Sequence, residues 1–556
     1  MTLTRTSLFW VFGLVSAVVS GCTQEFIATD SNPLPVNLVP PIWAEGNAGG
    51  GGGAGLGGQG GQAGQGGQGA GAGGGGVVFV SDCVAESGPP EIVKVGVGSK
   101  LLLVGCVVSP DKVFQGEVLV ESDTLTCVGS SCAASPGAAD ATVVRTHGVI
   151  MPGMIDTHNH ILFDLFDETD WAPTKAYGNH DQWTAEPRYG ALVDAKQYLN
   201  GEGTPNLDPG FGCEMNKFGE MKGLVAGTTS IAGAANPSDK TCFGSLARTI
   251  DQKPNDLDSD KVQVSTLFPP STGDTVCANI AADKTDAYII HCGEGVDATA
   301  LKEFAKLGTA TTTPECLYAP ETAIVHGTAF GENELQIMAD RGMSLIWSPQ
   351  SNVFLYGSGT DYTKTTNVKL AMELGINIAL APDWSLGGSQ NLLDELRFAH
   401  KVDAAVFGDV FSAEQLVRMV TVNAAKALGL SSVLGSLEVG KKADITVIAG
   451  DVTKPFEAVL AATPRDVRLV VVNGVPLYGD SALAALGPAS PGCEALDICG
   501  EQKFACVAED GGTASNKLGQ TWADITTTLE TELATYDGLN LTEWKFAPIA
   551  PLVKCP

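Results

Sequence analysis

The 556-residue chain is long enough to bury a substantial core, and its length suggests two or three structural units rather than one. It carries 63 Asp and Glu residues against 33 Lys and Arg residues, a formal net charge of -30, and no block of basic residues interrupts this acidic background. The charge balance argues against nucleic acid or an anionic membrane surface as a partner of the folded part.

The first 22 residues have the pattern of an export signal. Arg5 precedes an apolar run of about a dozen residues, which is too short to cross a bilayer because a spanning helix needs roughly 20. The run ends on Val-Ser-Gly-Cys, which resembles a bacterial lipoprotein signal and implies a lipid on Cys22. An ordinary cleaved signal with a coincidental cysteine is the alternative. Both interpretations predict export; the first predicts a lipoprotein of the bacterial cell envelope, periplasmic or at the cell surface, anchored to the membrane only by its lipid.

The cysteine count agrees with an oxidising compartment. The chain has 14 cysteines, so 13 remain if Cys22 carries lipid, and an odd number leaves at least one thiol free or paired between chains. Cys127 and Cys132 enclose a short loop. Four more cysteines crowd the C-terminus: Cys493, Cys499, Cys506 and Cys555. The sequence leaves the pairing open.

Residues 23–76 are predicted to be a disordered tether. Residues 23–45 contain several prolines, and residues 46–76 are almost wholly Gly, Ala and Gln. Such a segment buries too little apolar surface to offset its ordering entropy, and its Gly-rich part would span roughly 30 Å. We expect it to hold the folded part away from the membrane.

Short β-rich runs flank the middle of the chain on both sides. Residues 77–148 precede the middle of the chain and indicate a small antiparallel unit. Residues 430–482 follow the middle and show a similar pattern of short β-rich runs. The runs lie at residues 100–108, 115–121, 443–448 and 467–473. We expect the two segments to form one small β-sandwich.

Residues 149–429 alternate strand-like with helix-like segments, which favours a parallel α/β architecture. The strand-like runs lie at residues 228–232, 262–268, 287–290, 322–325, 343–347 and 377–381, with a weaker one at 245–250. The helix-like segments lie at residues 298–307, 332–341, 368–374, 391–400 and 413–428. About 280 residues is close to the usual size of an eight-stranded barrel. The sequence therefore predicts a (β/α)8 TIM-like barrel in the α/β class.

Residues 483–556 form a Cys-containing C-terminal extension. Four apolar residues recur there at spacings of three and four: Trp522, Ile525, Leu529 and Leu533. This spacing indicates an amphipathic helix. We expect its apolar stripe to pack on the barrel, with binding of a partner as the alternative.

Histidines and carboxylates stand where strand-like runs end. His158 and His160 follow the run that begins at Val149, and residues two apart in an extended chain face the same side, so both can bind one metal ion. The other candidates close or follow later runs: His291, Glu294, His326 and Asp383. Barrel enzymes carry their chemistry at these strand ends.

Each of these residues alone is commonly structural, since a single histidine is often hydrogen-bonded in a core and an aspartate before a helix is often a cap. Their order on successive strand ends is the informative feature. It predicts a mixed His and Asp site for a divalent metal. Glu294, three residues beyond His291, is placed to act as a general acid and base without binding the metal.

The ordered motifs also resemble a known family. They are Pro152–His160, Ala226–Thr229, His291–Glu294, Val325–Gly327, Ser348–Asn352, Asp383 and Gly435–Asp444. Over residues 92–480 the chain resembles the amidohydrolase superfamily, in particular its branch of cytosine and guanine deaminases and triazine chlorohydrolases. The resemblance implies a hydrolase of non-peptide carbon–nitrogen bonds, a deaminase or cyclic amidine or amide hydrolase, that uses metal-activated water on a small-molecule substrate.

The resemblance also implies roles for individual residues. It makes four residues the ligands of one divalent ion, zinc or alternatively iron: His158, His160, His291 and Asp383. Glu294 matches the proton shuttle, and His326 matches the residue that steadies the hydroxide or polarises the substrate, while Asp383 also orients the nucleophile. Relatives with two metals use a lysine in the fourth strand, and Val262–Phe268 contains none. One metal is therefore favoured.

Ser351 and Asn352 match a segment that shapes the substrate pocket. Trp384 departs from the family, which often has Gly-Thr-Asp-Gly where this chain has Ala-Pro-Asp-Trp-Ser. Because Trp384 would narrow or close the pocket, the usual ring substrates are in doubt. Two alternatives stay open: hydrolysis of an amide or carbon–halogen bond at the same site, or an inactive barrel that serves as a binding lipoprotein.

Overall fold

The computed structural model describes residues 82–555, except for 234–241, 243, 245, 253–254, 256, 258–261, 266–267, 490–491 and 509–518. The predicted signal and tether, with Cys22, lie outside the described residues. Of the helices described, none is both long and apolar enough to cross a membrane.

A ten-stranded sheet unites the segments before and after the middle of the chain. From the first segment come β1 (Glu91–Lys94), β2 (Leu101–Val108), β3 (Val113–Glu121), β4 (Thr124–Gly129) and β5 (Thr142–Pro152). From the second come β14 (Ile445–Ile448), β15 (Val467–Val472), β16 (Val475–Asp480), β17 (Glu494–Ile498) and β18 (Glu501–Ala505). The antiparallel pair of β5 and β14 joins the two halves. The flanking segments thus share one sheet, while its folding into a sandwich stays a prediction.

The first half of this sheet is not wholly antiparallel, contrary to the prediction. Strand β2 pairs with β3 antiparallel but with β5 in parallel. The cause is the connection after β4, which includes the 3-10 turn Ala138–Asp140 and returns the chain to the end of the sheet where β2 begins. A return connection of this kind makes a parallel pair, whereas a hairpin makes an antiparallel one.

Eight parallel strands follow in two sheets. The first sheet contains β6 (Met154–Asp156), β7 (Thr228–Ile231) and β8 (Arg248–Thr249); the second contains β9 (Val262–Ser265), β10 (Ala287–Cys292), β11 (Thr322–His326), β12 (Ser344–Trp347) and β13 (Asn377–Leu380). All neighbours pair in parallel and in chain order. Each strand-like run predicted between residues 228 and 381 contains or overlaps one of these strands.

The apolar run that begins at Val149 belongs to two sheets. Its first residues complete β5, and Gly153 separates them from β6. A Cβ atom on Gly153 would lie 2.2 Å from Thr229 Oγ1, so only glycine permits this close approach to β7. The chain therefore passes directly from the large sheet into the first parallel strand.

The first and last parallel strands meet just beyond their carboxyl ends. Asn159 and Asp383 form a parallel bridge, and the His160 N–H donates to the Asp383 carbonyl at 2.7 Å. Among the described residues no ladder joins β8 to β9. The two parallel sheets are thus linked by backbone hydrogen bonds at the level where the candidate site residues lie.

Helices alternate with the strands from β9 to β13, and further helices lie between β6 and β7 and after β13. They are α1 (His180–Thr184), α2 (Pro187–Leu199), α3 (Gly212–Leu224), α4 (Gly273–Ala281), α5 (Ala298–Leu307), α6 (Glu332–Arg341), α7 (Pro349–Tyr356), α8 (Val368–Glu373), α9 (Leu392–Val402), α10 (Ala413–Met419), α11 (Val422–Ala427), α12 (Pro455–Ala461) and α13 (Trp522–Gly538). The predicted helices at 298–307 and 332–341 are confirmed as α5 and α6. The single helix predicted at 413–428 is wrong, because Thr421, with ψ -96°, leaves the helical range and separates α10 from α11.

The C-terminal extension packs against the helices of the parallel unit. Helix α13 contacts α2 and α3, and its residues Ile525, Leu529 and Leu533 are fully buried. The prediction that this apolar stripe packs internally is confirmed. The extension is also tied by disulfides between Cys493 and Cys506 and between Cys499 and Cys555.

Disulfides account for all but one of the cysteines that the structure describes. Outside the extension they join Cys83 to Cys106, Cys127 to Cys132, Cys213 to Cys242 and Cys277 to Cys316. The remaining thiol is Cys292, which is buried beside His291. One thiol is therefore free among the described cysteines, as expected if Cys22 carries lipid. The disulfide between Cys127 and Cys132 closes the short loop between them, as their spacing suggested.

A buried ion pair connects β8 to the start of β14. Arg248 Nη2 donates to both carboxylate oxygens of Asp444, at 3.0 and 3.2 Å, and both residues are buried. Removing one partner of such a pair leaves an uncompensated buried charge, so Asp444→Ala should lower the free energy of unfolding by about 3–5 kcal/mol. Urea unfolding followed by circular dichroism measures this loss. Asp451→Ala removes an exposed carboxylate and is the control; equal effects of the two variants would contradict the prediction.

Candidate metal centre and active site

Four side chains converge from the ends of three strands. His158 and His160 follow β6, His291 lies near the end of β10, and Asp383 follows β13. One nitrogen or oxygen from each lies within 4.8 Å of every other. His158 Nε2 lies 3.0 Å and His160 Nε2 lies 3.4 Å from Asp383 Oδ1. The structure thus brings together the four residues predicted as metal ligands.

The backbone holds these side chains in a defined arrangement. Asp383 has φ 70°, a conformation that residues other than glycine rarely adopt and that is common at functional sites. Its N–H donates to the His158 carbonyl at 3.3 Å. The buried carboxylate of Asp156 accepts hydrogen bonds from the His158 N–H at 3.1 Å and from Asn159 Nδ2 at 2.9 Å. The turn that carries the two histidines is therefore fixed before any ligand binds.

The lowered pKa values of the three histidines keep their imidazoles neutral, which favours binding of a cation. Burial lowers the pKa of His158 to about 3, and burial with repulsion from His158 lowers the pKa of His160 to about 4. Burial also holds the pKa of His291 well below its usual range, and its Nδ1 is buried without a hydrogen-bond partner among the described residues. Neutral imidazole nitrogens are metal donors. Three of them with one carboxylate suit a borderline divalent ion such as zinc.

Glu294 lies in the loop after β10, beside the cluster. It is buried, and its Oε2 lies 4.0 Å from Nε2 of His326, the last residue of β11. Burial raises the pKa of Glu294 to about 7, against the opposing charge of His180. A carboxyl group whose pKa lies near neutral pH can both accept and deliver a proton. The position and environment of Glu294 suit the shuttle role that the sequence predicted.

Ser351 and Asn352 lie on α7, behind the reactive groups. The Ser351 hydroxyl donates to Asp383 Oδ2 at 2.5 Å, and Asn352 Nδ2 lies 3.3 Å from His326 Nδ1. Both residues are fully buried. Their role in shaping the substrate pocket stays a prediction; in the structure each contacts one site residue, Asp383 for Ser351 and His326 for Asn352.

Trp384 belongs to an aromatic wall, the four side chains Phe163, Trp183, Tyr189 and Trp384. The Trp384 ring lies 5.7 Å from Phe163, 5.4 Å from Trp183 and 6.0 Å from Tyr189. It also lies 5.7 Å from the ring of His160. His160 is 25% exposed, whereas His158 is 2% exposed, so the cluster opens toward solvent on the His160 side. The aromatic wall therefore borders the open side of the site.

Three residues near Glu294 were not among the predicted site residues. The Tyr356 hydroxyl donates to Glu294 Oε1 at 2.8 Å, and His180 Nε2 lies 2.8 Å from Glu303 Oε1. Burial is the largest single influence and opposes the charge on His180, but the hydrogen bond to Glu303 and the negative charges of the neighbouring carboxylates together raise the pKa of His180 to about 9. None of the three residues ends a strand-like run, so the pattern that revealed the other site residues gave no signal for them.

Comparison with known proteins shows which families and enzymes this chain is similar to. Residues 247–477 match the model of a protein family described as the amidohydrolase family. A 5-methylthioadenosine/S-adenosylhomocysteine deaminase of Bacillus cereus is 26% identical over 401 residues, which cover 65% of this chain and 88% of the relative. A homologous enzyme of the same name from Bacillus thuringiensis matches over the same shares of the two chains.

Solved structures show the same fold at lower identity. Atrazine chlorohydrolase from Arthrobacter aurescens, complexed with zinc, is 17% identical with a TM-score of 0.52, covering 70% of this chain and 96% of that one. Guanine deaminase from Escherichia coli is 17% identical with a TM-score of 0.50, covering 68% of this chain and 99% of that one. These likenesses indicate that the eight parallel strands form a TIM-type barrel.

The fold and the site together define a metal-dependent hydrolase. Parallel strands carry three histidines and one aspartate to a common point, with a buried glutamate beside them. The chain is similar to the amidohydrolase family over residues 247–477 and to the Bacillus deaminases over 401 residues. These similarities support a hydrolase of carbon–nitrogen bonds other than peptide bonds.

Proposed function

We propose that this enzyme deaminates a flat, amino-substituted nitrogen heterocycle of the purine base or nucleoside type. The observation that carries the proposal is the buried Glu294 carboxyl group beside His326 and the four-residue cluster, bordered by the aromatic wall. Aromatic rings attract flat heterocycles through stacking and edge contacts. The named activity of the Bacillus deaminases agrees with such a substrate.

The cofactor of this proposal is a single zinc ion held by His158, His160, His291 and Asp383. A divalent ion there supplies Lewis acidity that makes water nucleophilic near neutral pH. The donor set supports zinc, since neutral imidazole and carboxylate are its usual ligands. Iron is the alternative that metal analysis distinguishes.

The side chains then divide the work of hydrolysis. Glu294 accepts a proton from the water that adds to the amino-bearing carbon and delivers it to the nitrogen that leaves as ammonia. The His326 imidazole, held neutral because burial lowers its pKa well below the usual range, lies on the same side as Glu294 Oε2 and polarises the substrate. Ser351 holds the Asp383 carboxylate through its hydrogen bond to Oδ2.

Ammonia release tests the proposal. The zinc-loaded protein is incubated with purine bases and nucleosides, cytosine, amino- and chlorotriazines and cyclic amides, and ammonia, chloride and ring opening are measured separately. We expect ammonia from at least one amino-heterocycle. Chloride release or ring opening without ammonia would instead support a carbon–halogen or cyclic amide hydrolase, and no product from any compound at full zinc loading would contradict the proposed function.

The proposal extends to fold and location. We infer that the ten-stranded sheet folds over as a small sandwich beside a closed (β/α)8 barrel, and that export leaves the enzyme as a lipoprotein of the cell envelope. The lipoprotein-type ending at Cys22 supports this location, as do the disulfides.

Replacing Cys22 with alanine tests the anchor. Cys22→Ala removes the only residue proposed to carry lipid, so the protein should move from the membrane fraction to the soluble fraction, and labelled palmitate should no longer be incorporated. The control is Cys292→Ala, which changes a buried thiol instead. Unchanged membrane association of Cys22→Ala would contradict lipid anchoring.

A further inference from the structure

The two oxygens of the Glu294 carboxyl group have different surroundings. Oε1 accepts a hydrogen bond from the Tyr356 hydroxyl at 2.8 Å, and Oε2 lies 4.0 Å from His326 Nε2. We propose that Tyr356 is a positioning residue that, with Trp183 behind it, holds Oε1 so that Oε2 is the oxygen that exchanges the proton. This inference rests on the proposed function, in which Glu294 transfers that proton.

The direction of the Tyr356 hydrogen bond follows from its second partner. Trp183 Nε1 lies 3.3 Å from the Tyr356 hydroxyl oxygen. An indole N–H can only donate, so the Tyr356 oxygen accepts from Trp183 and its single proton is free to point at Glu294. The rings of Trp183 and Tyr356 are both buried, which shields these two hydrogen bonds from water. The chain of donors from Trp183 through Tyr356 to Glu294 is thus fixed by chemistry.

The loop that carries Glu294 is fixed by a separate set of contacts. The backbone N–H of His180 donates to the backbone carbonyl of Glu294 at 3.2 Å, and the backbone N–H of Gly293 donates to Glu303 Oε2 at 2.7 Å. Glu303 in turn holds the His180 imidazole at 2.8 Å through Oε1. These bonds restrain the backbone and do not involve the Glu294 carboxyl group. Tyr356 is the contact that restrains the carboxyl group itself.

The chain of hydrogen-bond donors from Trp183 through Tyr356 to Glu294 begins in the aromatic wall. The Trp183 ring that donates to Tyr356 lies 5.4 Å from the ring of Trp384 and 5.0 Å from the ring of Tyr189. A substrate that displaces the Trp183 ring would therefore also disturb the Glu294 carboxyl group. The same residue borders the substrate and supports the proton shuttle.

Tyr356→Phe removes the hydroxyl and keeps the ring. We expect kcat to fall about tenfold or more, as for loss of one hydrogen bond to a charged group, while KM changes less than about twofold and zinc content is unchanged. Tyr318→Phe is the matched control, because that buried hydroxyl donates to the Phe304 carbonyl, away from the site. Trp183→Phe should lower kcat in the same direction by less. An unchanged kcat for Tyr356→Phe would overturn the proposal.

A double-mutant cycle separates positioning from a general loss of structure. If Tyr356 acts through Glu294, then Tyr356→Phe should lower kcat little further in a protein that already carries Glu294→Gln. Equal fold losses in the two backgrounds would show that Tyr356 acts by another route and would overturn the proposal. The low rate of the double variant is measurable at high enzyme concentration.

Infrared spectroscopy gives a readout that does not depend on turnover. The difference between spectra of the wild type and Glu294→Gln isolates the Glu294 carboxyl band. The intensity of this band is measured as a function of pH, which gives the titration midpoint of Glu294. His180 and Glu303 face this group from the loop side, and Asp383 and His326 face it from the site. Since a donated hydrogen bond stabilises the ionised form, Tyr356→Phe should shift the midpoint upward. An unmoved midpoint would overturn the positioning role, whereas absence of turnover on every compound with a shifted midpoint would overturn only the proposed function.

Discussion

Replacing Glu294 with glutamine is expected to leave the zinc content unchanged and to lower kcat by about 10²- to 10⁴-fold. The amide keeps the shape of the side chain and can still accept from Tyr356, but it cannot take up or release the proton that hydrolysis must move. Zinc content is measured by plasma emission and kcat by ammonia release from the best substrate of the panel.

The control for this change is Glu395→Gln. Glu395 is also fully buried, but it lies on α9 and its carboxyl oxygens bond to Ser389 and the Gln350 N–H, not to a metal-ligand candidate. We expect this variant to keep kcat near that of the wild type if it folds. Wild-type turnover in Glu294→Gln would show that another group moves the proton and would contradict the assigned role.

The position of the candidate site was predictable from the sequence because its residues follow a repeating physical pattern. A buried parallel strand is a short apolar run, and the next polar residue lies at the carboxyl end of the sheet. His291, His326 and Asp383 each stand at that point, so the order of runs along the chain also predicts which side chains meet. The strands β10 to β13 were recognised for the same reason.

The residues that support the site follow no such pattern. Tyr356 lies at the end of α7 and Glu303 lies within α5, where side chains approach Glu294 only because the helices pack on neighbouring strands. The same limit applies to the parallel pairing of β2 with β5, which depends on where a connection returns the chain. It also applies to the disulfides other than Cys127–Cys132, whose partners are 13 to 56 residues apart. Local patterns cannot specify contacts that tertiary packing creates.

The break between α10 and α11 has a more local cause that the sequence pattern also concealed. Apolar residues continue with helical spacing through this segment, which suggested one helix at 413–428. The Thr421 hydroxyl, however, donates to the Val417 carbonyl at 2.9 Å. Threonine side chains that bond to the backbone in this way compete with regular helical hydrogen bonds, so the helix can end without a glycine or proline.

His158→Ala is expected to cause the second large effect, a loss of most bound zinc together with activity. His158 is the centre of the cluster: its Nε2 lies 3.0 Å from Asp383 Oδ1, and its ring lies 4.9 Å from His160 and 4.5 Å from His291. Alanine removes one of four donors and leaves too few protein ligands to compete with water for the ion. Plasma emission measures the zinc that stays bound after dialysis against a weak chelator.

Thermal unfolding gives a second measure of the same change. A ligand that binds only the native state stabilises it by about 4 kcal/mol at a thousandfold excess over Kd, so zinc should raise the Tm of the wild type but not that of His158→Ala. His400→Ala is the control, because His400 is an exposed residue on α9 whose Nε2 faces Asp409 at 3.7 Å. Full zinc occupancy in His158→Ala, or an equal loss in His400→Ala, would show that the ion is held elsewhere, since only the cluster around Asp383 depends on His158.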